Sequence, residues 1–294
     1  MINLWQPVHI SFAFDLFTAF LLGIVHGITP DEHTWPITFS YAVGGYSRRE
    51  GMRSAFLFSL SFTAQRALAC ELAYLGFGHF FTNPAMETGI YILVGIVMTI
   101  SGLMISRGRL APHLHFNIFR KTVTGAAVAG QLDLAEARPW MPLLHGMIAG
   151  WGFGAFAIVL YTVLAPAMPS ASVAFLPGVM FGIGTMVTQM LIGSFVGMFV
   201  ARQNLPQAWI RKIALVTASR TLLWGGIGLS LIGILKIFAP RIADLSISTG
   251  LHVHNLDTID LSLVVLVLSV FGIGVGGLFV EMRGLRRSLK AHEI

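Results

Sequence analysis

Six stretches of this chain are apolar over the length needed to cross a lipid bilayer: residues 54–78, 88–106, 141–165, 177–200, 214–238 and 260–282. A spanning helix needs about 20 mostly apolar residues, because the hydrocarbon core is about 30 Å thick. Repeated six times, this pattern leaves only an all-α, polytopic membrane protein. Composition agrees: 55% of the 294 residues are hydrophobic and 11% charged, against about 25% charged in a soluble domain. A chain so poor in polar surface is excluded as a soluble enzyme, a nucleic-acid module or a disordered protein. The 32 glycines fit as well, since glycine lets membrane helices approach closely. The single cysteine, Cys70, excludes an internal disulfide.

A seventh crossing comes first in the chain. Residues 14–29 are apolar, Pro30-Asp31-Glu32-His33 interrupts, and 34–46 is again fairly apolar. The segment 14–42 reads as one crossing broken between Thr29 and Pro36. Proline inside a helix removes a backbone hydrogen bond. Irregular backbone at membrane depth is tolerated only inside protein or beside a water-filled cavity. The alternative is a helix that ends at Thr29, with the polar residues in a loop.

Fifteen of the 19 Lys and Arg fall in alternate segments between the spans: 43–53, 107–140, 201–213 and the tail after 282. Cytoplasmic segments collect basic residues, so the formal charge of +6 reflects topology and implies no nucleic-acid partner. The N-terminus is expected outside and the C-terminus in the cytoplasm of a cell (inner) membrane. No Lys or Arg precedes Arg48, so the first segment is expected to stay in the mature protein.

Three matches suggest a duplication. Val25-His26-Gly27-Ile28 is like Leu144-His145-Gly146-Met147. Gly95-Ile96 through Gly102 is like Gly226-Ile227 through Gly233. The middle spans each carry one glutamine, Gln65 and Gln189. Units of three helices must enter the membrane from opposite sides, which gives an inverted repeat with a broken first helix, a layout of many secondary transporters. The expected division is 1–106 for the first repeat and 107–140 for a cytoplasmic linker, with a surface helix over 123–137. The second repeat is 141–239, and 240–294 holds an extracytoplasmic loop, a last helix and a basic tail.

The break holds the chemistry. His26, Asp31, Glu32 and His33 place two imidazoles and two carboxylates within eight residues. Ionisable groups inside a membrane are costly and face an internal path. Imidazole with carboxylate suits nickel, cobalt or zinc. His145 would stand opposite His26 across the repeat axis, or hydrogen-bond a neighbouring helix. The run Gly146, Gly150, Gly152, Gly154 reads as close helix packing. Gln65, Glu71 and Gln189 are candidates for a polar path, with helix-to-helix bonding as the alternative. Arg66 has Glu71 or the break carboxylates as candidate partners. His113, His115, His252 and His254 are left as solvated loop residues.

From His26 to His33 the chain resembles the nickel/cobalt transporter superfamily, with its NicO and UreH-like members. Their signature is a histidine, four residues, then Asp-His. His26, Pro30 and Asp31 match, and Glu32 intervenes before His33. On a regular helix that insertion turns the second imidazole by about 100°. The resemblance implies a permease, not an enzyme, with no permanent cofactor. Its cargo would be a divalent nickel or cobalt ion. His26, Asp31 and His33 would be the ligands, and Glu32 and His145 would assist or relay protons. The partners are then the metal ion and the bilayer, and self-association is left open. Two other readings stand beside it: an exporter of a small anion bound by Arg66 and Arg220, and a membrane-embedded metal-dependent hydrolase or assembly factor.

Overall fold

The computed structural model describes residues 11–29, 34–107, 138, 140–151, 154–203, 207–243, 245–249 and 258–283. Their helices are α1 Phe12–Ile28, α2 Trp35–Gly44, α3 Arg48–Tyr74, α4 Pro84–Arg107, α5 Trp140–Ala149, α6 Ala155–Val159, α7 Leu176–Ala201, α8 Gln207–Phe238, α9 Pro240–Ala243 and α10 Leu261–Val267. Two π-helical stretches, Leu160–Leu164 and Leu268–Gly276, continue α6 and α10. Among the described residues four segments are long and apolar enough to cross a membrane: Pro84–Ser106, Ala171–Ala201, Ala208–Phe238 and Leu261–Arg283. Phe12–Ile28 is apolar but shorter. By helix length and hydropathy this is an all-α, multi-pass membrane protein.

The side chains are sorted for lipid. On α7 the stripe Ile183, Val187, Leu191, Phe195 is exposed, while Gly178, Gly182, Thr185, Thr188, Gln189, Gly193 and Gly197 are buried. Spacing by four puts the large apolar residues on one face and the small and polar ones on the other. A helix in water shows the reverse. Inside lipid, burying an apolar side chain gains nothing over leaving it in the tails, so close packing and hydrogen bonds hold the helices together.

Glycine contacts fix how the helices run. A Cβ on Gly95 would come 2.6 Å from the Gly226 carbonyl, and one on Gly226 would come 2.5 Å from the Gly95 carbonyl. Gly102 faces Ser219 and Leu223 in the same way that Gly233 faces Thr88 and Ile92. The pairs advance in opposite senses, so α4 and α8 are antiparallel. Gly51 against Gly193 and Gly178 against Arg66 make α3 and α7 antiparallel too. Gly23 meets Phe181 and Gly27 meets Thr185 and Thr188, so α1 runs parallel to α7. Gly146 meets Phe58 and Ser61, and Gly150 meets Gln65, so α5 runs parallel to α3. Hence α1 and α5 point in opposite directions.

Several boundaries differ from the sequence expectation. The stretch 54–78, expected as the second span, falls largely in the helix Arg48–Tyr74, which is not one of the four apolar enough to cross. The Ser47 hydroxyl accepts from the Glu50 amide at 3.1 Å, a Ser-x-x-Glu start that draws the helix back to the turn. The span expected at 214–238 starts at Gln207. The fourth span is not continuous: α5 stops at Ala149 and α6 starts at Ala155. The glycine run read as packing is therefore a helix break as well as a contact surface. A short antiparallel pair, Ser246–Ser248 with Thr258–Asp260, stands in the expected loop before the last helix. That helix packs on α8 and α2 through Phe39, Val43, Leu266 and Val270.

Candidate functional site

The first crossing stops where expected. The described helix ends at Ile28 and the next begins at Trp35, with Pro36 in its first turn. Asp31, Glu32 and His33 lie outside the described residues. The carbonyls of the last turn of α1 have no partners within the helix and need them elsewhere. The Thr29 hydroxyl donates to the Val25 and His26 carbonyls at 3.0 and 3.2 Å. From α7, the Gln189 amide nitrogen donates to the Gly27 carbonyl at 3.2 Å. Also from α7, the Thr185 hydroxyl donates to the Gly23 carbonyl at 3.1 Å. The end of α1 is thus held by α7, and its terminus presents the negative end of the helix dipole to the break.

Gln189 is buried and its Oε1 has no hydrogen-bond partner among the described residues. Gln189→Leu removes the only side chain of α7 that reaches the Gly27 carbonyl. It is expected to lower stability by about 0.6–2 kcal/mol, read from unfolding in mixed micelles. Gln189→Met, which keeps much of the volume but has no donor, is expected to do the same.

His26 is 6% exposed, in the last turn of α1. Its ring stacks on Phe62 of α3 at 5.8 Å, lies 5.2 Å from Phe181 of α7 and meets Phe156 of α6 edge-on at 6.3 Å. Four helices therefore converge on this imidazole. The Arg66 guanidinium shares the wall, 4.9 Å from Phe62 and 5.6 Å from Phe181. It donates to the Tyr161 hydroxyl from the π-helical turn. Of the two partners offered for Arg66, Glu71 forms no ion pair with it among the described residues, where one Glu71 carboxylate oxygen is buried without a hydrogen-bond partner, and the break carboxylates lie outside those residues. Cation–π contacts of this kind are worth about 2 kcal/mol when desolvated. Gln65, 1% exposed, has its amide oxygen against Gly150 at the end of α5.

His145 is 1% exposed on α5. Its Nδ1 lies 2.9 Å from the Met141 carbonyl and 2.9 Å from the Tyr41 hydroxyl of α2. Arg220 is not interior. It is half exposed and paired with Glu281 at 2.9 Å, so of the two arginines assigned to an anion only Arg66 faces the core.

Among the described residues no group of three or more His, Cys, Asp or Glu is placed to hold a metal. The described ligand candidates His26 and His145 sit on different helices, each with its own surroundings. Sequence reading missed Tyr41, which touches His145, and Tyr161, which accepts from Arg66. It also missed Asp15, buried at 1% on the same face of α1 as His26. Its spacing from His26 was a readable signal, since both belong to the stripe Asp15, Thr18, Leu22, His26. The chain matches no protein-family model, no curated protein and no solved structure.

Proposed function

We propose that this protein is a secondary permease for a divalent transition-metal ion, nickel or cobalt, in a cell membrane. The observation that carries the reading is His26: a buried imidazole in the last turn of a helix whose ending is built in by side chains of α7. An ionisable group at such a position is kept for ion or proton traffic. The residues that follow in the chain, Asp31, Glu32 and His33, supply the remaining ligands, and the resemblance to the nickel/cobalt transporters rests on the same stretch.

The mechanism uses two inverted three-helix units. The opposed directions of α1 and α5, and the reciprocal contacts of Gly95 with Gly226, support an axis in the membrane plane that exchanges α1, α3, α4 with α5, α7, α8. The ion sheds part of its water at the break and exchanges it for imidazole and carboxylate. The negative end of α1 favours its charge. Rocking of one unit against the other then changes the side from which the break is reached. Ligands must be deprotonated to bind, so acid weakens loading. No catalytic residue is assigned.

Elemental analysis of gently purified protein tests this reading. Nickel or cobalt near one equivalent, displaced by acid, is the expected result. Protein with no affinity for either ion on direct titration would remove it.

A further inference from the structure

We infer that His145 forms a second station for the transported ion, taking a divalent transition metal through Nε2. This inference rests on the permease reading and adds a residue, an atom and an order of events to it.

The atom is fixed by hydrogen-bond accounting. His145 Nδ1 stands 2.9 Å from the Met141 carbonyl, which can only accept. Nδ1 therefore carries the proton and donates to that carbonyl. The Tyr41 oxygen, also 2.9 Å away, takes the other branch of the same donor. Nε2 is left with its lone pair. It is buried, and among the described residues it has no hydrogen-bond partner. A histidine that ligates a metal has this arrangement: the distal nitrogen donates to a carbonyl, which sets the tautomer and aims the other nitrogen. Neutral imidazole suits nickel, cobalt and zinc.

The position is fixed by helix contacts. His145 precedes Gly146, as His26 precedes Gly27. A Cβ on Gly27 would strike the Thr188 hydroxyl and lie against the Thr185 carbonyl of α7. A Cβ on Gly146 would strike the Ser61 hydroxyl and the Phe58 carbonyl of α3. Thr188 thus corresponds to Ser61 and Thr185 to Phe58. Each histidine stands just before the end of a broken helix, α1 at Ile28 and α5 at Ala149. The same register sets Gln189 against Phe62, so the two glutamines are not equivalent, contrary to the sequence match. Tyr41 lies beyond the first break and His145 before the second, so their contact joins the two halves. An ion leaving the His26 end of the path therefore has a bare imidazole nitrogen in the inverted half.

The test separates a station from a strut. His145→Asn keeps an amide donor near Nδ1 and deletes Nε2; Tyr41→Phe deletes the hydroxyl and leaves Nε2 aimed by Met141. Purified proteins are measured with ⁶³Ni²⁺, for binding in detergent and for uptake into sealed vesicles. His145→Asn is expected to bind Ni²⁺ within about threefold of the parent and to transfer it at least about tenfold more slowly, in the range for a disturbed metal site. Tyr41→Phe is expected to stay within about threefold in both. His145→Asn transferring at the parental rate, or Tyr41→Phe failing as badly as His145→Asn, overturns the station and leaves the permease standing. A parent protein that binds no Ni²⁺ overturns both. If His145→Asn does not fold, His145→Gln is read by the same outcomes.

Discussion

Gly226→Leu is expected to remove folded protein from the membrane, whereas Gly89→Leu leaves its amount unchanged. The new Cβ at 226 would meet the Gly95 carbonyl at 2.5 Å and the Thr99 amide at 2.6 Å. Both obstacles are backbone, so no rotamer change relieves them. Overpacking usually costs about 1–3 kcal/mol because side chains can yield. Here two helices must separate along their length, and the loss exceeds that range. Gly95→Leu is expected to fail equally, since its Cβ meets the Gly226 carbonyl and the Ser230 amide at 2.6 Å each. At Gly89, in the same α4, an added Cβ meets nothing within 4 Å, and leaving glycine gains up to about 1 kcal/mol of helix propensity. Quantifying each variant in isolated membranes, with unfolding in mixed micelles, checks the contrast. Parental abundance of Gly226→Leu would show that α4 and α8 are not pinned as described.

His26→Gln is expected to fold and to lose at least about 100-fold in Ni²⁺ affinity. Changing a group that only supports a metal ligand costs about 10–100-fold, and loss of the ligand costs more. Glutamine is the useful replacement because it fills most of the space among Phe62, Phe156 and Phe181. Alanine there would open a cavity among three rings, with a cost of about 2–5 kcal/mol for a large side chain. Weak binding by His26→Ala could then reflect loosened helices. Calorimetric titration of His26→Gln, with melting temperature measured on the same sample, separates the two effects. Unchanged affinity in a folded His26→Gln would take His26 out of the site.

The long apolar helices were legible because lipid imposes a simple rule, and the parallel and antiparallel contacts among α1, α3, α4, α5, α7 and α8 have the relative directions that the alternation of Lys and Arg implies. The first break was legible because proline and two carboxylates interrupt an apolar run. The second break was not: Gly150 to Gly154 could serve packing or chain reversal, and glycine does both. Gly150 in fact does one of each, lying against Gln65 where α5 ends. Ser47 and Glu50 carried the true start of α3, but hydropathy outweighed them. The surroundings of His26 and Arg66 were illegible for a different reason. Phe62, Phe181, Phe156 and Tyr161 come from separate helices and meet only on folding, so their rings look like ordinary membrane residues in the sequence. Arg66 donates to Tyr161 and lies over the rings of Phe62 and Phe181, contacts that its sequence neighbour Glu71 did not suggest.

Ion passage by way of the first break is measured most directly as uptake of ⁶³Ni²⁺ by sealed vesicles holding the purified protein. Saturable uptake well above that of protein-free vesicles, lost when His26→Gln replaces the parent, is the outcome the account predicts. Uptake by the parent no faster than by protein-free vesicles, across a range of Ni²⁺ and pH gradients, would contradict it.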